Sequence, residues 1–359
     1  MNKTSLYEKH VKLEAKILEY AGYMMPINYK NGIQYEYNAV RNNAGIFDVS
    51  HMGEIFISGK DSQKLLSKLT VNNLNKVTIN QAQYTAICNN NGGVIDDIIL
   101  YKLSEYDFLL IVNASNLIRV YNWFLENNNY DCKVNDLTKD YSLLALQGPE
   151  SRNILQKILN KNIEIEFYYH NKYQFYSEEI LVSRTGYTGE LGYEILGNHD
   201  VINKIWDEFI NNKVIPCGLA VRDVLRLEMK YCLYGNDINE QITPIEAGLK
   251  WIVNNREDYI GKDVIESQIY NGVKEKLICI KMIDKSIPRT GYEIFYNNEK
   301  IGKISSGTFS INLKSGIAMA YIKASHNKKN KIVDVKIREK YLKGEIVSPP
   351  FINNFSLYK

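Results

Sequence analysis

NNNGGVIDDIILY, residues 89–101, is the stretch from which the rest of the chain can be read. Asn90-Asn91-Gly92-Gly93 is turn chemistry, because asparagine and glycine accept the positive φ angles of tight hairpin turns. The flanking runs 83–88 and 94–101 are rich in the β-branched and aromatic residues that suit strands. Alternation in the second strand puts Ile95, Asp97, Ile99 and Tyr101 on one face and Val94, Asp96, Ile98 and Leu100 on the other. Each face then carries one carboxylate among aliphatic neighbours, and an unpaired carboxylate is costly to bury. Two readings stand at this point. In one, one Asp faces water while the other caps a neighbouring turn. In the other, the sheet is covered on the Asp97 side and displays a carboxylate in a low-dielectric pocket, a setting that tunes an acid or base.

A chain of 359 residues exceeds one compact core and suggests two or three domains. Its 45% hydrophobic and 24% charged content is that of an ordinary globular protein. With a net charge of +3 and scattered Lys and Arg, it has no electrostatic footprint for nucleic acid or an anionic membrane. The 27 tyrosines reflect compositional bias rather than a cofactor box. Five widely spaced cysteines without a CxxC read as reduced small hydrophobes. The histidines form no HxxxH or HExxH pair, and Glu54, three residues after His51, opens a strand-like run rather than a helix, so no metal site is expected. No apolar run approaches the ~20 residues of a membrane span, and MNKTSLYEKH resembles neither a signal nor a transit peptide. A cytoplasmic location is expected.

Around the central hairpin, residues 4–21 read as a loose helix ending at Gly22, with Met25-Pro26 in a loop. Residues 45–53 suggest a buried crossing between units, followed by a strand at 54–58 and a helix N-capped by Asp61. The region 83–113 reads as a three-strand meander, followed by a helix at 116–126, a strand at 141–147 and a helix to Leu159. Residues 184–194, RTGYTGELGYE, place three glycines three residues apart between apolar strands, without the GK[ST] of a phosphate loop or a dinucleotide GxGxxG. This is either a plain glycine-rich hairpin or a loop whose bare backbone admits a flat ligand, with Tyr187 as a wall and Glu194 as an acceptor. Residues 200–211 and 218–231 look helical; in the second, Arg226 reads as a structural ion-pair residue with Asp223 and Glu228 available. Thr243-Pro244-Ile245-Glu246 has the form of a capping box opening a helix toward Trp251. From about Lys276 short alternating runs separated by turns indicate a small all-β module.

Seven segments together resemble the aminomethyltransferase (T-protein) family of the glycine cleavage system over essentially the whole chain. They are GIFDVSHMGE (45–54), GGVIDDIIL (92–100), LALQGP (144–149), RTGYTGELGYEI (184–195), AVRDVLRLEMKYCLYGND (220–237), TPIEAGLKW (243–251) and Pro350-Phe351. The resemblance implies an α+β cloverleaf of three domains with folate in a central hole. Residues 1–50 with 137–243 would form the first antiparallel-sheet domain, 51–136 with 244–275 the second, which carries Asp97, and 276–359 a jelly-roll-like β-barrel. It implies transfer of a one-carbon unit from aminomethyl-lipoyl H-protein to tetrahydrofolate, giving 5,10-methylenetetrahydrofolate, ammonia and dihydrolipoyl H-protein, with P-protein and L-protein as functional partners and no metal. By the same resemblance Asp97 is the catalytic carboxylate, Glu194 holds the pterin, and Tyr84, Tyr101, Asn113, Tyr187, Arg222 and Trp251 complete the folate site. Departures from the family pattern are Tyr20 and Tyr23 on either side of Ala21-Gly22, where relatives usually carry a Phe and a Trp, and Tyr37, where a His is common.

Two other functions are open to a chain of this superfamily. A folate-dependent demethylase of the superfamily is disfavoured by Asp96-Asp97 together with the GYTGE loop. A non-enzymatic folate binder of the iron–sulfur or tRNA-modification branch would carry Lys-Gly-Cys-x-x-Gly-Gln-Glu. Here residues 230–237 read KYCLYGND, lacking the first glycine and the Gln-Glu.

Overall fold

The computed structural model describes residues 1–254 and 258–359. Two sheets pack face to face with helices on their outer sides, and a closed barrel follows. The five-stranded antiparallel sheet runs in the spatial order Ala82–Cys88, Val94–Lys102, Asp107–Val112, Gly53–Ser58, Lys133–Asp136. The helices Ser62–Leu69 and Leu117–Glu126 cover one face of this sheet, where Leu65, Val120 and Phe124 pack with Ile98, Leu100 and Leu110. Its other face meets the six-stranded sheet, ordered His170–Phe175, Glu178–Ser183, Gly192–Asn198, Tyr141–Gln147, Gly45–Asp48, Ile215–Cys217. Only the last pair in that sheet is parallel. Tyr101, Leu109 and Ile111 of the first sheet share one core with Leu143, Ala145 and Leu196 of the second. The outer face of the six-stranded sheet is packed by His199–Asn211 and Ser151–Leu159 around Trp206 and Phe209. The barrel closes in the order Glu275–Met282, Ser315–Lys323, Glu299–Ser310, Glu293–Tyr296, Ile332–Ile337, Lys340–Val347. This is the α+β architecture with a C-terminal barrel expected from the resemblance.

The crossing at 45–53 takes the chain from one sheet to the other. Gly45–Asp48 pairs with Tyr141–Gln147, and four residues later Gly53–Ser58 begins in the other sheet. The buried Asp48 at the end of the first strand is satisfied from two directions: it accepts from Thr4 and His10 of the N-terminal segment and from the Ser50 amide of its own turn.

Several local expectations are corrected. The proposed N-terminal helix is only Tyr7–Lys12; the chain then turns back as a hairpin of Lys16–Tyr20 with Tyr23–Asn28, so Met25-Pro26 lies in a strand. Asp61 precedes its helix without a side-chain cap bond. The capping box does form, with Thr243 and Glu246 bonded reciprocally, but no α-helix follows. Gly248 takes φ +71°, a conformation that ends helical propagation, and only a single 3₁₀ turn, Lys250–Ile252, carries Trp251. In the Asp97 strand the register shifts opposite Ile87/Cys88, so that Cys88 pairs with Val94 and Ile87 with Asp96. Ile95 is the extra residue of a bulge, and the alternation resets there. Ile95 consequently packs with Ile98 on the helix side, while Val94 joins the core on the Asp97 side.

One helix, Leu219–Glu228, ties the units together. Arg226 is 1% exposed and donates to Asp237, Asp223, the Tyr231 carbonyl and Ser306 of the barrel. The sequence reading of a structural ion pair holds, with one correction: Glu228 belongs to Arg41 instead, at 2.6 Å. Removing the cation of a buried pair strands its partner charge, which typically costs about 3–5 kcal/mol. Arg226→Met is therefore expected to lower unfolding free energy by about 3–5 kcal/mol in urea titration. A loss under ~1 kcal/mol would show that this pair does not hold the units together.

Candidate active site

The bulged strand brings Asp97 to the face between the two sheets and Asp96 to the helix face. Asp97 is partly exposed; its Oδ2 accepts from the Tyr84 hydroxyl at 2.9 Å and its Oδ1 from Asn113 Nδ2 at 2.9 Å. Asp96 is 0% exposed and accepts from the Asn113 amide N–H (3.0 Å), Asn113 Nδ2 (2.8 Å) and Asn116 Nδ2 (2.6 Å). Asn113 thus bridges both carboxylates from the end of the neighbouring strand. Burial, with the Asp97 charge beside it, pushes Asp96 well above the usual carboxylate range, against the pull of its three N–H bonds. Burial also raises Asp97, opposed by the Tyr84 and Asn113 bonds. The arrangement is a coupled carboxyl pair in which only Asp97 opens outward.

Around Asp97 the aromatic residues take distinct places. Trp251, 69% exposed, stacks on Tyr84 with ring centroids 5.7 Å apart, so the residue that orients Asp97 is itself flanked by an open indole face. Tyr187 donates to the Cys232 carbonyl, stacks with Tyr231 at 5.7 Å, and lies 4.8 Å from the Arg222 guanidinium. Burial raises the Tyr187 hydroxyl, and the Asp97 charge adds to the rise while Arg226 and Arg222 oppose it, which places Tyr187 within electrostatic reach of both ends of the site. Among the described residues, Arg222 Nη1 is buried without a hydrogen-bond partner. An unpaired buried N–H of a guanidinium is suited to an anionic or carbonyl oxygen.

Four residues further along the Asp97 strand, about 13 Å at strand rise, Tyr101 marks the other end of this face. It is 3% exposed, and its hydroxyl lies 3.2 Å from Ser183 Oγ and 3.4 Å from Thr185 Oγ1. Thr185 Oγ1 donates to Glu194 Oε2. Tyr101 therefore bears on Glu194 through hydroxyl groups rather than presenting its ring.

The glycines of the GYTGELG segment have a packing role. A Cβ on Gly186 or Gly192 would meet the Gln147 side chain at 2.1–2.2 Å, and one on Gly189 would meet Met229 at 2.5 Å. Gln147 lies against the bare backbone of Gly186 and Gly192. Its own amide is satisfied by the Thr185 carbonyl and the Thr188 hydroxyl. Residues not anticipated are Asn116, Thr185, Ser183 and His51. His51 is 5% exposed, edge-on to Tyr20 at 5.6 Å, and held neutral by burial, which lowers its pKa to about 4. Among the described residues no cluster of metal-ligating side chains occurs and no helix is long and apolar enough to cross a membrane.

Comparison with known proteins fixes the family. Residues 6–257 match the GCVT N-terminal domain and residues 275–353 the glycine cleavage T-protein C-terminal barrel domain. The chain belongs to the glycine cleavage T-protein family. It is 44% identical to the aminomethyltransferase of Thermosipho melanesiensis over 354 residues, covering 98% of this chain and 97% of that protein. It is 40% identical to that of Halothermothrix orenii, covering 98% and 100%. The crystal structure of glycine cleavage system aminomethyltransferase T from Bartonella henselae superposes with a TM-score of 0.94 at 30% identity, over 100% of this chain and 99% of that one. Within this T-protein fold, Asp97, Tyr84, Asn113 and Trp251 form one contact group, Tyr187 and Arg222 a second, and Glu194 and Tyr101 a third.

The raised carboxyl makes a pH signature. A group whose folded pKa lies above its unfolded value stabilises the fold fully only below the unfolded value, and that contribution is lost as pH rises through the folded pKa. For Asp97, whose folded pKa is raised, the loss sets in above the ordinary ~3.9. Asp97→Asn cannot ionise, so its melting temperature relative to the parent is expected to climb between pH 4 and pH 7 in calorimetry. A flat difference across that window would mean that Asp97 is not raised by burial.

Proposed function

We propose that this chain is the tetrahydrofolate-dependent aminomethyltransferase of a glycine cleavage system. It would take the one-carbon unit from the aminomethyl-lipoyl arm of H-protein and pass it to tetrahydrofolate, giving 5,10-methylenetetrahydrofolate, ammonia and dihydrolipoyl H-protein. The observation that carries this reading is the outward-facing Asp97, oriented by Tyr84 and Asn113 and backed by the fully buried Asp96. Relatives at 40–44% identity bearing the name aminomethyltransferase support it.

The residues suit the parts of a folate. Glu194 has one oxygen held by Thr185, which leaves Oε1 as an acceptor for the adjacent ring N–H and amino donors of a pterin. Trp251 and Tyr84 offer aromatic surface next to Asp97. Arg222 supplies an unpaired N–H to a carbonyl or carboxylate oxygen. Asp97 would stabilise the positive charge that develops as the one-carbon unit leaves sulfur, because a preorganised carboxylate in a poorly solvated site acts without reorganising solvent. Its raised pKa also suits it to move a proton toward the departing ammonia.

The direct test is ammonia release from aminomethylated H-protein with and without tetrahydrofolate. Folate-dependent release that Asp97→Asn slows by ~10²–10⁴, with folate affinity held within a few-fold, is expected. A variant at near-parent turnover would remove Asp97 from the mechanism, and absence of release by the parent chain would overturn the activity itself. Glu194→Ala is expected to weaken tetrahydrofolate binding by at least tenfold in calorimetry, since it deletes contacts made before chemistry. Unchanged affinity would take Glu194 out of the folate site.

A further inference from the structure

Three hydroxyls join the strand of Asp97 to the strand of Glu194. Ser183 sits directly across from Glu194 in the antiparallel pair of Glu178–Ser183 with Gly192–Asn198. Thr185 follows two residues later, 4% exposed, and Tyr101 reaches both from the facing sheet. The polarity of this chain is fixed by chemistry. A carboxylate only accepts, so the Thr185 O–H is spent on Glu194 Oε2. Ser183 Oγ, 2.8 Å away, then donates to Thr185, and Tyr101 donates to Ser183 at 3.2 Å.

Behind Glu194 lies a small cavity of about 10 Å³, walled by Leu109, Ile111, Leu143 and Leu196 and reached by Tyr101 and Ser183. A gap of that size holds about one water and no carboxylate, so it offers Glu194 no second seat, but it leaves the side chain less than fully packed. Without the Thr185 hydroxyl, Glu194 Oε2 loses that donor and the carboxylate is freer to change rotamer.

We infer that Thr185 is a positioning residue: its hydroxyl, at the end of the Tyr101–Ser183–Thr185 chain, holds Glu194 forward and fixes its place relative to Asp97. This rests on the folate reading given above. Because Tyr101 and Asp97 share one strand and one face, the chain references the folate-holding carboxylate to the same backbone that carries the reacting one.

The test is tetrahydrofolate binding by calorimetry alongside turnover with aminomethylated H-protein, for the parent chain, Thr185→Val and Thr185→Ser. Valine keeps the shape and deletes the hydroxyl; serine restores it. The expected result is a rise of about tenfold in the folate dissociation constant and KM for Thr185→Val, larger than any fall in kcat at saturating folate, with Thr185→Ser near the parent. Parent-like affinity in Thr185→Val would overturn the inference. So would equal losses in both variants, which would assign the effect to packing around the side chain rather than to the hydroxyl. If the parent chain binds no folate, the functional reading itself fails, and this result is distinct from failure of the Thr185 assignment alone.

Discussion

Everything in this fold depends on desolvated charges that can be satisfied in one arrangement only. Arg226 and Glu228, two residues apart on one helix, are both buried. Arg226 holds Asp237 at 2.6 Å and Ser306 of the barrel. Glu228 accepts from Ser310 of the barrel, from Tyr37 and from Arg41. Arg41 in turn donates to Glu190 and to the Thr188 carbonyl in the glycine-rich loop, and Glu190 receives the Ser356 amide of the C-terminal tail. Buried ions of this kind add little net stability over an apolar core, yet they penalise every mismatched geometry heavily. The barrel, the six-stranded sheet and the tail are accordingly locked in one register, and the site inherits its precision from that lock. Tyr37 keeps its place in the network through its hydroxyl, which donates to Glu228 and accepts from Arg41.

The same principle, run in reverse, produces the raised carboxyl pair. Asp96 and Asp97 are adjacent in sequence but are separated by alternation into two environments. Among the described residues Asp96 has three N–H donors and no cationic partner; Asp97 has two donors and is partly exposed. Asn113 binds both, so protonation of one alters the bonds available to the other. Their titration belongs to the pair. Among the described residues, cations pair with Asp237, Glu190 and Glu228 while none pairs with Asp97, whose carboxyl burial raises.

How much of this was legible in the sequence follows from how local the signals are. The 83–113 meander was readable because its turns are encoded by a few contiguous residues and its strands pair with their immediate neighbours. The N-terminal hairpin was not: Lys16–Tyr20 is exposed on both faces, so it carries no two-residue alternation to detect. The bulge at Ile95 was equally hidden, since an extra residue leaves no mark in the composition of an apolar run, yet it exchanged the faces of Val94 and Ile95. The capping box at Thr243 was a correct local signal overruled one turn later by Gly248. The glycines at 186, 189 and 192 were visible, but their reason lay in Gln147 and Met229, far off in sequence.

The choice between Asp96 and Asp97 shows where sequence reasoning stops and why. Spacing places the two on opposite faces and says nothing of what covers each face. On the Asp96 side the sheet is covered by its own sequence neighbours, the helices Ser62–Leu69 and Leu117–Glu126, whose apolar stripes were readable. A face covered by adjacent helices is sealed, and Asn116, at the start of the second, completes the seal over Asp96. On the Asp97 side the cover is a second sheet whose strands come from residues 45–48 and 141–217, together with the loop that carries Trp251. Layers from distant segments meet at a seam, and ligand-sized openings occur at seams rather than within layers. The carboxylate facing the seam is the one left partly exposed, a difference set by topology acting on an alternation that the sequence alone already displayed.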